Sequence, residues 1–261
     1  MDLNLRGKKV LVTGASAGIG LSIAETFASE GCSLVLVSRS EPALRLVANR
    51  LAELYKVDVA IEARNIELDS TIEHLADQHA DIDILVNNAG AIPGGTLEQV
   101  SQQRWREGWE LKVFGFLNMT RAFYRIMCSR KHGVIVNVIG ASATGIDARY
   151  IAGSTGNASL EALTKGLGSD APDHGVRVVG VSPGMVLTER LQALLKARAL
   201  DKFGDENRWQ ELAAHAPFHR VARVEEVSAS AVFLASPRSS YTSGVVLVVD
   251  GGFSQRCNWW G

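Results

Sequence analysis

The sequence predicts a doubly wound α/β fold in a single domain, and three observations carry that expectation. Short β-branched apolar runs alternate with amphipathic stretches of helical period along the whole chain. Several of those runs are apolar without alternation, as strands buried on both faces of a parallel sheet are. The first run, Val10-Leu11-Val12, leads straight into a glycine-rich turn that opens a helical pattern. With 261 residues the chain can bury one full core.

Taken in order, strands are expected over residues 9–13, 33–37, 57–63, 82–86, 134–138, 177–181 and 245–249. Helices fill the intervals, over 18–30, 41–55, 69–79, 97–129, 149–173 and 224–235. Repeated β-α-β units with right-handed crossovers build a doubly wound parallel sheet with flanking helices. Prolines are few and no low-complexity linker interrupts the chain, so no second domain is expected. One long insertion, 188–220, is polar and helix-prone. It reads either as a lid over a ligand or as a solvated pair of surface helices.

Composition bounds the function classes. The formal net charge is −1 with acids and bases interspersed, which implies no nucleic-acid partner and no acidic membrane surface. The first residues, Met1-Asp2-Leu3-Asn4-Leu5-Arg6, carry no signal-peptide apolar stretch, and no later segment is long enough to span a bilayer. Cys32, Cys128 and Cys257 are odd in number and widely spaced, which suits reduced thiols in a cytoplasm. They read as two small buried hydrophobes and one tail thiol.

The turn itself is Thr13-Gly14-Ala15-Ser16-Ala17-Gly18-Ile19-Gly20. Glycines let a backbone turn tightly and approach phosphates, and a helix N-terminus offers unpaired N–H groups and the positive end of its dipole. Strand, turn and helix stand in the order a pyrophosphate cradle requires, so a Rossmann-type dinucleotide site is expected.

Further motifs follow in a recognisable order. They are Asn87-Asn88-Ala89-Gly90 after the fourth strand, Pro183-Gly184-Met185-Val186-Leu187-Thr188 after the sixth, and Ser243-Gly244 with Asp250-Gly251-Gly252 at the end. With the glycine turn, they make the chain resemble the short-chain dehydrogenase/reductase family over essentially its whole length. The resemblance implies a pyrophosphate held at Gly14, Ser16, Gly18, Ile19 and Gly20. It also implies an adenosine–ribose side lined by Asn88, Ala89 and Gly90, and a nicotinamide side at Pro183, Gly184, Val186 and Thr188. A homo-dimer or homo-tetramer, with a small molecule as substrate, is implied likewise.

Cofactor choice follows from charge. A carboxylate ending the second strand would accept from a ribose 2′-hydroxyl, but this chain has Ser38 followed by Arg39. A hydroxyl and a guanidinium would bind a 2′-phosphate, which favours NADP(H), with NAD(H) as the alternative. After the third strand, where the family usually has an acidic residue facing the adenine, the chain reads Arg64-Asn65-Ile66. Asn65 can still bond the adenine amino edge.

The resemblance breaks at the chemistry. The family uses a tyrosine, a lysine four residues later, a serine upstream and an asparagine on the preceding helix. Aligned without gaps, those places fall on Gly153, Asn157, Gly140 and Lys112. Lys112 and Asn157 then look like an exchange that keeps one ammonium and one amide in the same volume. The two glycines leave a void the size of a phenol, which close-packed interiors fill with a ligand or a neighbour. Tyr150, Ser142 and Ser154 are the available neighbours. Lys112, Tyr150, Ser142 and Asn157 are therefore the catalytic candidates, with Tyr150 read mainly as packing or substrate contact. Asp147 and Arg149 form either a solvated pair or a polar substrate contact.

His215 and His219 have a metal-compatible spacing, but Pro217 interrupts the helix that would aim both rings at one ion, so no metal is expected. Trp105, Trp109, Phe114, Phe116 and Phe123 read as core or subunit-interface aromatics, and Trp259-Trp260 as a docking tail. The expected activity is hydride transfer at a carbonyl or alcohol carbon with an altered acid–base set. A non-redox lyase or dehalogenase-like enzyme, or an NADPH sensor without turnover, are the rivals.

Overall fold

The computed structural model describes residues 1–214 and 216–256. Seven strands form one sheet in the order β3-β2-β1-β4-β5-β6-β7, and every pair is parallel. In chain order the elements are β1 (Lys9–Thr13), α1 (Gly18–Ser29), β2 (Ser33–Ser38), α2 (Glu41–Tyr55), β3 (Val59–Ala63), α3 (Asp69–Gln78) and β4 (Ile84–Asn87). Next come α4 (Gln102–Trp109), α5 (Gly115–Arg130), β5 (Gly133–Val138), α6 (Ile151–Asp170) and β6 (Val176–Pro183). The last are α7 (Glu189–Phe203), α8 (Trp209–Ala213), α9 (Val224–Ala235) and β7 (Val246–Val249).

The two-residue strand period divides the core into two layers. Val10, Val12, Leu34, Leu36, Val136 and Val138 pack with Ile23 and Phe27 of α1, Leu44 of α2 and Ala231 of α9. The alternate residues Leu11, Val35, Leu85, Ile135 and Val178 pack with Leu75 of α3 and Met119, Phe123 and Met127 of α5. Burial on both faces is why these strands read as unbroken apolar runs. The order of the strands reverses between β1 and β4, and ligands of such sheets bind beyond the strand ends at that reversal.

Two expected helices are shorter than periodicity implied. The 97–129 helix begins only at Gln102, where the Ser101 hydroxyl accepts from the Arg104 N–H and caps it. It is then interrupted by a π turn over Glu110–Phe114 that hands over to α5. Apolar spacing does not register one extra residue in a turn. The 149–173 helix begins at Ile151, because Tyr150 has φ −137° and ψ 36°, and it ends in a short 3-10 turn that holds Pro172. The 188–220 insertion contains α7 and α8.

No described helix is long and apolar enough to cross a membrane. Cys32 is buried, and that burial pushes its thiol up to about 12, whereas Cys128 is only half-buried. Cys257, Trp259 and Trp260 lie outside the described residues.

Candidate active site

The cleft opens where β1 and β4 part. The Thr13 hydroxyl ties the two strands there: it donates to the Val86 carbonyl at 3.3 Å and accepts from the N–H groups of Asn88 and Ala89 at 2.9 and 3.1 Å. The Asn88 amide donates to the Thr13 carbonyl at 3.0 Å and the Gly14 carbonyl at 3.4 Å, so this side chain braces the turn. Gly14 has φ +67° and Gly18 +57°, a region that disfavours any side chain. A Cβ on Gly14 would stand 2.9 Å from the Asn88 amide nitrogen and 3.0 Å from Ala89 Cα. Gly20 packs against the same amide and the Gly14 carbonyl. No side chain caps α1 at Ala17, and Ser16 and Ile19 are half-buried on the turn.

At the end of β2, the Ser38 hydroxyl is buried without a hydrogen-bond partner. Arg39 is exposed beside it. Asn65 uses its amide locally, donating to the Glu67 carboxylate at 3.1 Å while its oxygen accepts the Glu67 N–H at 3.3 Å. Ile66 is buried against Gly115.

On the opposite side of the cleft, the π turn aims Lys112 at the end of β5. Its amine donates to the Ile139 carbonyl at 2.6 Å and the Val138 carbonyl at 3.3 Å, and it lies 5.5 Å from the Phe116 ring centre. Its stem runs over Gly90, where a Cβ would meet Lys112 Cδ at 2.5 Å. Burial first, and then the nearby Arg190 charge, lower the Lys112 amine to about 8.

Both glycines that promised a void have been filled by neighbours. A Cβ on Gly140 would fall 2.6 Å from the Asn157 amide nitrogen. Asn157 is buried, donates to the Ser142 hydroxyl at 2.9 Å, and keeps its Oδ1 buried without a partner. The Tyr150 ring lies across Gly153, with Cε1 and Cζ where a Gly153 side chain would begin and the hydroxyl 2.6 Å from that point. Tyr150 is held there by the chain on both sides: the Gly95 N–H donates to the Arg149 carbonyl at 2.8 Å, and the Tyr150 carbonyl accepts from Ser154. Burial raises the Tyr150 hydroxyl above its ordinary range. Asp147 and Arg149 bond one another at 3.2 Å, both well exposed, so the solvated-pair reading describes them.

The segment after β6 closes the far wall. Gly184 passes tightly against Asp250. Val186 is buried and bridges Ala222. The Thr188 hydroxyl accepts the Leu191 N–H at 3.2 Å and so caps α7, while its methyl faces Gly18. His219 sits at φ +56° with Nδ1 near the Ala214 carbonyl; His215 lies outside the described residues. Among the described residues no group of three metal-binding side chains converges.

Residues 14–254 match the family described as enoyl-(acyl carrier protein) reductase. A galactitol 2-dehydrogenase (L-tagatose-forming) of Cereibacter sphaeroides is 32% identical over 252 residues, 96% of each chain. A 3-oxoacyl-(acyl-carrier-protein) reductase of Vibrio cholerae is 31% identical over 254 residues, 96% of this chain and 98% of that one. The chain belongs to the short-chain dehydrogenase/reductase family. Among solved structures, the L-sorbose reductase of Gluconobacter frateurii complexed with NADPH and L-sorbose superposes with a TM-score of 0.91 at 32% identity, covering 98% of this chain and 100% of that one. Kinship over the whole chain makes this protein an oxidoreductase of the short-chain dehydrogenase/reductase family.

Within that family fold, Lys112, Ser142 and Asn157 gather around the end of β5, and Tyr150 stands beside them. Sequence reasoning missed Arg190, whose charge acts on both Lys112 and Tyr150. It lies two residues past Thr188, at the start of the suspected lid, and that placement was the available signal.

Proposed function

We propose that this chain moves hydride between NADP(H) and a carbonyl or alcohol carbon, with an acid–base set centred on Lys112 in place of the usual family tetrad. The observation that carries the reading is the Lys112 amine, turned into the cleft at the end of β5 and lowered to about 8.

The residues present suit the cofactor. The buried, unpartnered Ser38 hydroxyl and the exposed Arg39 stand where a 2′-phosphate would need a donor and a charge. The bare glycines and the uncapped start of α1 suit a pyrophosphate. NADP(H), when bound, supplies or takes up the hydride.

The chain's own residues handle the proton. An ammonium has three hydrogens, and Lys112 commits two of them to the Ile139 and Val138 carbonyls. The third is the transferable one, and an amine near pH 8 can give or take it at neutral pH. The Ser142 hydroxyl accepts from Asn157, so its own proton is free for the substrate oxygen. Asn157 thereby positions Ser142. Tyr150, raised rather than lowered, serves as a wall. Residues 188–220 act as the lid of this single domain. Phe114 and Leu117, exposed and apolar, suit a homo-oligomer in the cytoplasm.

Nicotinamide fluorescence read against a panel of ketones and aldehydes tests the proposal: carbonyl-dependent loss of NADPH supports it. One feature favours an NADPH sensor, namely that the Tyr150 ring occupies space a substrate could use. Binding without oxidation across the panel would establish that reading, and loss of substrate without any redox change would establish the non-redox enzyme.

A further inference from the structure

The π turn that carries Lys112 is tied to the first turn of α6 through an indole. Trp109 is the last residue of α4 and stands immediately before the π turn over Glu110–Phe114. Its Nε1–H donates to the Ala152 carbonyl at 2.9 Å, 43 positions along the chain. That carbonyl belongs to the first turn of α6, one residue before Gly153, across which the Tyr150 ring lies. The indole therefore joins the segment that bears Lys112 to the helix that bears Gly153 and Asn157.

Small residues allow the approach. A Cβ on Gly156 would stand 3.2 Å from Val113 Cγ2 in the π turn and 3.3 Å from Trp109 Nε1 itself. On the α4 side, a Cβ on Gly108 would meet Pro93 Cδ at 2.8 Å. The indole is half-buried, and the Trp105 ring packs on it with centroids 6.4 Å apart. A π turn inserts one residue into a helix and is rare, so its surroundings must favour it over continuous α-helix. Losing the insertion would rotate the side chains that follow by about 100°. Here the backbone before the turn is anchored on α6, and the Lys112 amine within it bonds the Ile139 and Val138 carbonyls at the end of β5. Held at both points, the turn has one direction in which to aim its lysine.

We infer that Trp109 is a positioning residue: its indole N–H, bonded to the Ala152 carbonyl, fixes the π turn against α6 and so holds the Lys112 amine at the end of β5. What the amine does there rests on the hydride-transfer reading above; the anchoring itself does not.

The test compares Trp109→Phe, which keeps an aromatic ring and removes the donor, with Trp105→Phe, which alters the neighbouring ring and leaves the Ala152 bond. One readout is independent of turnover. Acetic anhydride labels Lys112 only as the free amine, and mass spectrometry of its peptide follows the labelling rate against pH. Burial is the larger cause of the low Lys112 value, so an amine released toward water titrates closer to 10.5. Trp109→Phe should raise the half-labelling pH from about 8 to about 9 or higher, and Trp105→Phe should leave it at the parental value. The second readout is carbonyl reduction by NADPH. For Trp109→Phe, kcat should fall about 10-fold or more, with KM and the NADPH dissociation constant within about twofold of the parent. An unchanged half-labelling pH in folded Trp109→Phe would overturn the inference and leave hydride transfer standing. A raised half-labelling pH, with no carbonyl reduced even by the parent, would overturn the hydride reading and leave the anchoring standing. An equal rise in Trp105→Phe would mean that ring packing, not the bond, sets the turn, and the inference would fail. If Trp109→Phe does not unfold cooperatively, Gly156→Ala decides, because its methyl crowds Trp109 and Val113 from the α6 side. The same upward change in that variant supports the anchoring, and none overturns it.

Discussion

Around Gly14 and Gly18 the cleft is set by a main-chain turn that the Asn88 side chain braces, whereas around Gly140 and Gly153 side chains lean into the space the glycines leave. The residue type is the same but the reason differs. Gly14 and Gly18 sit at positive φ, so their backbone conformation excludes other residues. Gly153 is an ordinary helical residue whose missing side chain makes room for the Tyr150 ring. A glycine motif in the first half of the molecule thus specifies a backbone path. At Gly153 it specifies a neighbour, and Gly140, at φ +154°, combines both reasons.

The largest effect expected from this contrast is on the backbone side. Gly14→Val should abolish NADPH binding and also destabilise the fold by about 2 kcal/mol, because the new side chain strikes the Asn88–Thr13 brace. Gly18→Val meets the Thr188 side chain at 3.2 Å and carries only the strain of its positive φ, so it should lose NADPH binding with a smaller drop in thermal midpoint than Gly14→Val. Fluorescence titration beside calorimetric unfolding separates the two. Equal midpoints for both variants would show that the brace contributes nothing.

Next in size is Lys112. Lys112→Ala should lower turnover by about 10²-fold, and Lys112→Met, which keeps the stem over Gly90, should lower it nearly as much. A Met variant near parental activity would mean that packing alone was lost. The pH dependence follows from the same group. Carbonyl reduction needs the ammonium, so its rate should hold below about 8 and fall above it, with alcohol oxidation behaving in the opposite sense. For stability, the folded-state value lies below the ordinary 10.5. The unfolded chain then binds the proton more tightly, so this group opposes folding below about 8, and the penalty fades as pH rises toward 10.5.

Arg39→Asp should raise the NADPH dissociation constant by about 10-fold while improving NADH binding, because a carboxylate replaces the cation beside Ser38. Unchanged affinities for both cofactors would remove Arg39 from the site. The smallest and most local effect belongs to Gly153. Gly153→Ala should cost about 1–2 kcal/mol by displacing the Tyr150 ring, and the double change with Tyr150→Ala should recover most of it. Additive losses in denaturant unfolding would show that the ring does not depend on the glycine.

The sheet was readable because both faces of its strands are buried, so each strand appears as a continuous apolar run; 9–13 coincides with β1 and the others differ by a residue or two at their ends. The helix spanning 97–129 was not readable, since a π turn leaves apolar spacing almost intact while rotating the side chains inside it. At the site, the types of Lys112, Asn157, Ser142 and Tyr150 were visible as candidates, but their partners were not. Sequence spacing does not show that Asn157 would bond Ser142, or that Asn65 would spend its amide on Glu67.

Sequence alone determined what depends on neighbours along the chain: the alternation of strand and helix, the glycine turn after β1, and the absence of an acid at the end of β2. Tertiary structure decided what depends on distant segments meeting. It turned Lys112 from a helix-surface cation into an amine bonded to the end of β5 and laid Tyr150 over Gly153. The physical reason is that desolvation and charge act through space. A lysine's titration is set by what surrounds its nitrogen, and the two carbonyls that the Lys112 amine bonds lie 26 and 27 positions along the chain.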